Sequence, residues 1–344
     1  MDESTLMTLT AMLWDVLGFA LKTGALILGV AVVILLVAWL GQMKTAQPHL
    51  KIESWTEKLR HIQDLMRHQV LDAKTLKELK KSEKKKQKNE ANKKLPRCFI
   101  LHFQGDIKAS AVENLKNEVN AILTVAEPGD EVIALIESPG GVVHGYGLAA
   151  AELIRLRNRD LKLQICIDQI GASGGYMMAC VAHKIYAAPF AIIGSIGVLS
   201  QVPNFNRLLK KHDVDYKEYT AGEYKTTVSL LGEITPEKER KFLEMIQGTH
   251  DLFKNHVKQY RPQVDLGKVA TGEYWYGTQA LALGLVDEIR TSQDLLFSKL
   301  ESHHMVSVKT EKKKNLSEKL MGPVSMWLKS STTLASPHPW DQIH

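Results

Sequence analysis

Residues 23–43 carry no charge and are dense in Leu, Val, Ile and Ala. About 20 consecutive apolar residues suffice to cross a bilayer as a helix. The run therefore predicts one transmembrane anchor, with Trp14 and Trp39 suited to the interfaces. A cleavable signal peptide fits less well: the start carries Asp2 and Glu3 instead of positive charge, the apolar run is long, and no clear A-x-A site follows. From residue 52 to 79 the pattern turns helical and charged, with Trp55, Leu59, Ile62 and Met66 on one face. Residues 80–88 are mostly lysine, which predicts a solvated tether. Adhesion to anionic lipid is a possible second role for it.

After Pro96 apolar strands alternate with amphipathic helices. Strands are predicted at 98–103, 131–137, 161–167, 184–188 and 191–199, with a short one at 216–220. Ser110 and Glu113 make a capping-box signal before the helical stripe Val112, Leu115, Val119, Ile122 and Leu123. A second helix runs from the turn after 137 to Arg157, and a third follows Ser173. Residues 204–211 read as a short helix. Thr235 and Pro236 start a long helix ended by Pro262, because Thr caps and Pro suits the first turn. Residues 278–283 predict a last short helix, and beyond about Ser302 the chain is basic and irregular, with a weakly amphipathic stretch at 321–328. This alternation argues for an α/β domain with mainly parallel pairing. The expected divisions are an anchor at 1–45, a charged helical tether at 46–96, the α/β domain at 97–295 and a basic tail at 296–344.

Composition adds constraints. The chain has 344 residues and a formal net charge of +6, most of the excess lying between Lys74 and Lys94. Nucleic-acid binding is not indicated, because no aromatic residues are interleaved there for base stacking. Lys44, Lys51, Lys58 and Arg60 follow the apolar run, against Lys22 before it, so the positive-inside rule places the body in the cytoplasm. Cys98, Cys166 and Cys180 all sit in apolar runs and form no CxxC pair, so buried free thiols are expected, with no disulfide framework and no metal site. No Walker loop, Rossmann fingerprint or HExxH helix occurs, and no cofactor is implied.

The stretch with candidate chemistry is Asp168-Gln169-Ile170-Gly171-Ala172-Ser173-Gly174-Gly175-Tyr176. It reads as strand, tight turn and helix, with Ser173 on the turn. A hydroxyl at a helix N-terminus faces free N–H groups that favour developing negative charge, as a nucleophilic serine requires. The same residues would also serve merely to pack a helix on a sheet. A serine needs a base. Among 13 histidines the best placed is His144, after the Gly140-Gly141 turn. The other option is Lys225, in a loop that is not a charge run. A lysine acting as base must lose its proton near neutral pH, which takes a pKa lowered from about 10.4 to roughly 7–8. Gly141 and Gly174 offer backbone N–H groups for an oxyanion hole.

Five stretches together resemble the signal peptide peptidase A family: Ser138-Pro139-Gly140-Gly141, the Ser173 turn, residues 188–198, Gly222-Glu223-Tyr224-Lys225, and Gly284-Leu285-Val286-Asp287-Glu288-Ile289. They occur in the family's order and span about 97–292. The resemblance implies a ClpP/crotonase-like α/β domain of β-β-α units behind one transmembrane helix and a basic helical tether. It also implies a bacterial inner-membrane serine endopeptidase with a Ser/Lys dyad. Ser173 matches the nucleophile, Lys225 the base, Ser195 the serine that orients the lysine, and Gly141 and Gly174 the oxyanion donors. Peptides or unfolded polypeptides are the implied substrates, lipid meets the chain at 23–43, and the oligomer is a homomeric ring. Many relatives have Asn where this chain has Glu137, which is expected to point away from the site. The family's activity outside the cytoplasm opposes the positive-inside count. Alternatives are a catalytically silent scaffold of the same fold, or a crotonase-like acyl-CoA enzyme. A Ser-His-Asp peptidase would want a histidine about 25 residues after the serine, and 194–200 contains none.

Overall fold

The computed structural model describes residues 14, 16–30, 32–34, 49–90 and 95–311, with backbone only over 83–90. The chain divides into two units, one of them spanning residues 50–310. In the other, helix α1 (Val16–Ile34) has a mean hydropathy of 2.2 and is long and apolar enough to cross a membrane. Residues 35–43 of the expected span, and the tail from 312 with its stretch at 321–328, lie outside the described residues.

The larger unit opens with β1 (His49–Ser54), α2 (Trp55–Val70) and α3 (Ala73–Glu90). The α/β alternation follows: β2 (Arg97–Gln104), α4 (Val112–Val125), β3 (Glu131–Glu137), α5 (Val143–Arg157), β4 (Lys162–Ile167), β5 (Ile170–Ala172), α6 (Gly174–Ala179), β6 (Lys184–Ala187) and β7 (Ile192–Gly194). The remainder comprises α7 (Asn206–Lys211), α8 (Pro236–Tyr260), α9 (Leu266–Val269), β8 (Tyr274–Tyr276), α10 (Gly277–Ala282), β9 (Glu288–Ile289), α11 (Ser292–Lys299) and β10 (His304–Glu311).

A seven-stranded sheet has the order β1-β10-β2-β3-β4-β6-β9. Every registered pair from β10 to β9 is parallel. Such strands are covered on both faces and so read as near-continuous apolar runs, as β2 and β3 do. A small sheet, β5-β7-β8, stands at the end of the first, joined by a parallel bridge between Ser138 and Gly171. This is the ClpP/crotonase-like arrangement. The main core lies where α4, α5 and α6 cover one face, with Phe253 and Val257 of α8 joining it. On the other face Leu59 of α2 and Leu295 and Leu296 of α11 pack over Cys98, Ile100, Ile133 and Cys166. All three cysteines are free and buried, and burial pushes the Cys98 thiol up to about 12.

Several local expectations fail for physical reasons. Ser110 does not cap α4: its N–H and hydroxyl both donate to the Asp106 carboxylate at 2.7 Å, and Ala111 precedes the helix with no side-chain cap. Side chains of this type often prefer such local bonds. The strand expected at 191–199 is only Ile192–Gly194, because Gly194 (φ +98) and Ser195 (φ +51) leave the extended region. Residues 216–220 form no strand; Tyr216 and Tyr219 are exposed, and no neighbouring edge pairs with them. Residues 49–54 and 304–311, read as parts of the tether and tail, are strands of the large sheet.

Candidate active site

Ser173 connects β5 to α6 in a conformation that L residues avoid, φ +50 and ψ −117. Such backbone costs about 1–3 kcal/mol and persists only where its surroundings fix it. Here they do. The Ser173 N–H donates to the Gly194 carbonyl at 2.7 Å, and its own carbonyl accepts from Met177 at 2.9 Å. Gly140 (φ +91) packs against it so closely that a Cβ there would lie 2.6 Å from the Gly174 nitrogen and 2.7 Å from the Ser173 Cβ. The Ser138-Pro139-Gly140-Gly141 turn and the serine turn are thus one packed unit.

Ser138 and Tyr146 hold that unit from beneath. Both are fully buried. Their hydroxyls are 2.6 Å apart, the Tyr146 hydroxyl donates to the Asp106 carbonyl at 2.9 Å, and the Gly140 N–H donates to the Ser138 oxygen at 3.1 Å. Two backbone bonds, Ser138 N–H to Ile170 and Ala172 N–H to Ser138, stitch the turns together. A Cβ on Gly174 would meet the Tyr146 ring at 2.3 Å. Sequence reasoning quoted both residues inside motifs but gave them no role. The buried Ser138 could not be told from an exposed one without the fold.

A cavity of about 550 Å³ opens over Ser173. Its walls include Pro139, Ser195, Leu199, Ile246, Gln247, His250 and Gly272. Ser195, at φ +51, donates its hydroxyl to the Gly272 carbonyl at 3.3 Å and its N–H to Glu273 at 2.7 Å. Ser173 and Ser195 therefore line the same cavity. Gly141 and Gly174 flank the same turn. Gly174 is the first residue of α6, where N–H groups have no intrahelical partner. Gly141 sits against Ile107, whose carbonyl oxygen would be 2.2 Å from a Cβ.

The two candidate bases fare differently. His144 is exposed at the start of α5 and does not line the cavity. Lys225 is exposed on the loop between α7 and α8, its N–H bonded to the Gly222 carbonyl at 3.2 Å, and it too is absent from the cavity wall. His250, on α8, does line it, with Nε2 3.3 Å from the Ile196 carbonyl. Its signal in the sequence was its place on the long helix, seven residues before Val257, but no local motif marked it. Glu137 is exposed and lines a different cavity with Gln104 and Asp168. Asp287, in the last quoted motif, is structural: its carboxylate accepts from the Ile185 N–H at 2.7 Å and from Arg261 at 2.8 Å.

The comparisons with known proteins name the class. The profile of "Peptidase family S49 N-terminal" matches residues 11–153 and that of "Peptidase family S49" matches residues 155–307. The chain belongs to peptidase family S49. It is 46% identical over 308 residues to a probable protease SohB of Haemophilus influenzae, covering 86% of this chain and 87% of the relative. A probable protease SohB of Buchnera aphidicola is 48% identical over 234 residues, 68% and 69% of the two chains. A putative signal peptide peptidase SppA of Enterococcus faecium is 31% identical over 170 residues, 48% and 49% of the chains. A solved structure of the 1510-N membrane-bound stomatin-specific protease aligns over 67% of this chain and 99% of that one, at 12% identity and a TM-score of 0.37.

Proposed function

We propose that this chain is a membrane-anchored serine endopeptidase whose Ser173 is activated by Lys225 of a neighbouring subunit. The observation that carries the reading is the strained, packed Ser173 turn, open to a cavity shared with Ser195. Ser173 Oγ attacks the scissile carbonyl and gives its proton to the Lys225 amine. The oxyanion takes hydrogen bonds from the N–H groups of Gly141 and Gly174. The lysine returns the proton to the leaving amine, and water then releases the acyl group from Ser173. Ser195 holds the lysine in line. The substrates are signal-peptide remnants or unfolded membrane-associated polypeptides, and the membrane is the bacterial inner membrane.

The dyad calls for assembly into a ring. Within one chain Lys225 stands on an exposed loop off the cavity wall. Apolar side chains on the cavity wall and on that loop face solvent, Leu199 at 81% exposure and Tyr219 at 89%, as a surface awaiting a second copy would. Head-to-tail contacts make a ring where the rotation between neighbours closes. A second reading, with His250 as a base within the same chain, is favoured by its place in the cavity wall. The test is labelling with a serine-reactive fluorophosphonate. Wild type should label and Ser173→Ala should not; equal labelling of a folded Ser173→Ala variant would sink the mechanism.

A further inference from the structure

We infer that α2 and α3 form a docking surface for anionic lipid, so that the domain lies on the membrane as well as being anchored in it. The stripe Trp55, Leu59, Ile62, Met66 and Val70 follows one face of α2 at helical spacing. Its first half packs on the domain: Leu59 is buried, and Trp55 stacks on His102 with ring centroids 6.4 Å apart. From Ile62 onward the same face leaves the domain. Ile62, Leu65, Met66 and Val70 are 47–72% exposed, a continuous apolar surface on a helix. Such surfaces mark interaction sites.

Charge selects the occupant. Residues 55–94 hold thirteen Lys and Arg against six Asp and Glu, an excess larger than the whole chain's +6. Lys58 sits beside the stripe with its ammonium 5.6 Å from the Trp55 ring. Lys74, Lys77, Lys80 and Lys81 are exposed on α3. α3 packs on the side of α2 that carries Asp64, Arg67 and His68, with Lys80 Nζ 3.2 Å from His68 Nε2, so the pair presents an apolar face on α2 and a cationic one on α3. Apolar burial and attraction to anionic headgroups together hold such helices at a membrane surface. Position along the chain agrees. The fourteen residues 35–48 separate α1 from β1, and fully extended they reach about 50 Å at most. The surface is thus tethered near a bilayer, where its effective concentration is high. The inference stands apart from the catalytic reading, since none of these residues lines the Ser173 cavity.

The experiment uses the full chain reconstituted in vesicles, with an environment-sensitive fluorophore on Met66→Cys and, as a control on the other side of the helix, on Asp64→Cys. The three native cysteines are buried and do not compete for the label. Unchanged thermal melting shows that the variants are folded. With phosphatidylglycerol added to phosphatidylcholine, the Met66→Cys probe should shift to the blue and be quenched by bromolipid, while the Asp64→Cys probe stays water-like. High salt should reverse the effect. Lys77→Gln and Lys81→Gln should each lower the ratio of docked to undocked probe about fivefold. A water-like Met66→Cys probe in anionic vesicles overturns the inference. So does protection that is independent of phosphatidylglycerol. If that protection disappears when residues 312–344 are removed, the chain's own tail covers the face; if it rises with protein density, a second copy does.

Discussion

The Ser173 turn and the Lys225 loop belong to one proposed reaction but are built in opposite ways. Around Ser173 every neighbour is fixed: Gly140 and Gly174 touch backbone or ring, Ser138 and Tyr146 are fully buried, and the serine's own N–H and carbonyl are bonded. The Lys225 loop is held mainly on its return, apart from the Lys241 ammonium over the Tyr224 ring at 5.0 Å. The Asn204 amide donates to the Ser229 and Gly232 carbonyls at 2.9 Å, and Asn206 donates to Leu231 at 2.8 Å. Toward its tip, Gly222 has nothing within 4 Å of a Cβ position. One fold packs the proposed nucleophile rigidly and leaves the proposed base on its surface. Strain is kept where packing sustains it, and freedom where the proposed reaction calls for a second subunit.

The sharpest break in this comparison is chemical. Arginine keeps the charge of lysine but does not deprotonate in proteins. Lys225→Arg should therefore lose about 10²–10⁴-fold in kcat, the usual worth of a general base, and resemble Lys225→Ala. Arginine restoring most of the turnover of a peptide substrate would make Lys225 a salt-bridge partner. The histidine reading is separated by His250→Asn, which should leave the reaction running if Lys225 is the base.

Next in size is complementation. Ser173→Ala and Lys225→Ala should each be inactive alone. Co-expressed, about one in four neighbouring pairs in a mixed ring joins an intact serine to an intact lysine, and activity should return to about that fraction. Mixed oligomers demonstrated by cross-linking, with turnover still at zero, would place the dyad within one chain.

Two glycines compare the regions directly. Gly140 and Gly222 both have φ near +90 to +100, so alanine is strained at either. Only Gly140 also collides. Gly140→Ala should cost roughly 2–5 kcal/mol and disturb the nucleophile turn, whereas Gly222→Ala should cost about 1–2 kcal/mol from backbone alone. Denaturant melts of the two variants read the difference, and equal costs would show that the packing around Ser173 contributes nothing.

The same contrast explains what was legible in the sequence. The parallel strands showed as apolar runs because both faces are covered, and the serine turn showed because strain demands small neighbours. The long helix α8 announced itself through Thr235, whose hydroxyl accepts from the Lys238 N–H at 3.3 Å. Where structure depends on distant partners the signal vanished. β1 and β10 have sheet partners far from them in sequence and passed for tether and tail. β5 and β8, three residues each, are too short to carry a period. Ser138, Tyr146 and His250 gain their roles from neighbours that only the fold assembles. The tyrosines at 216 and 219 misled in the other direction: strand-forming residues with no edge to join.

The smallest expected effect separates stability from catalysis. Glu118 of α4 is buried and accepts the Thr310 N–H of β10 at 2.6 Å, fixing that strand beside the helix. Burial pushes its pKa up to about 7, against an ordinary glutamate value near 4.5. The folded state therefore holds a proton that the unfolded chain releases between about pH 4.5 and 7. Stability must fall with rising pH across that window, by roughly 3 kcal/mol at most. Glu118→Gln keeps an acceptor for Thr310 and removes the titration, so the variant should melt higher than wild type at pH 8 and about equally at pH 4.5. Turnover should move the other way, rising with pH as a general base becomes available, and its profile should be the same in Glu118→Gln. The pH dependence of stability would then belong to the packed side of the molecule and that of catalysis to the loop. A variant that shifted both profiles together would join the two regions that the structure keeps apart.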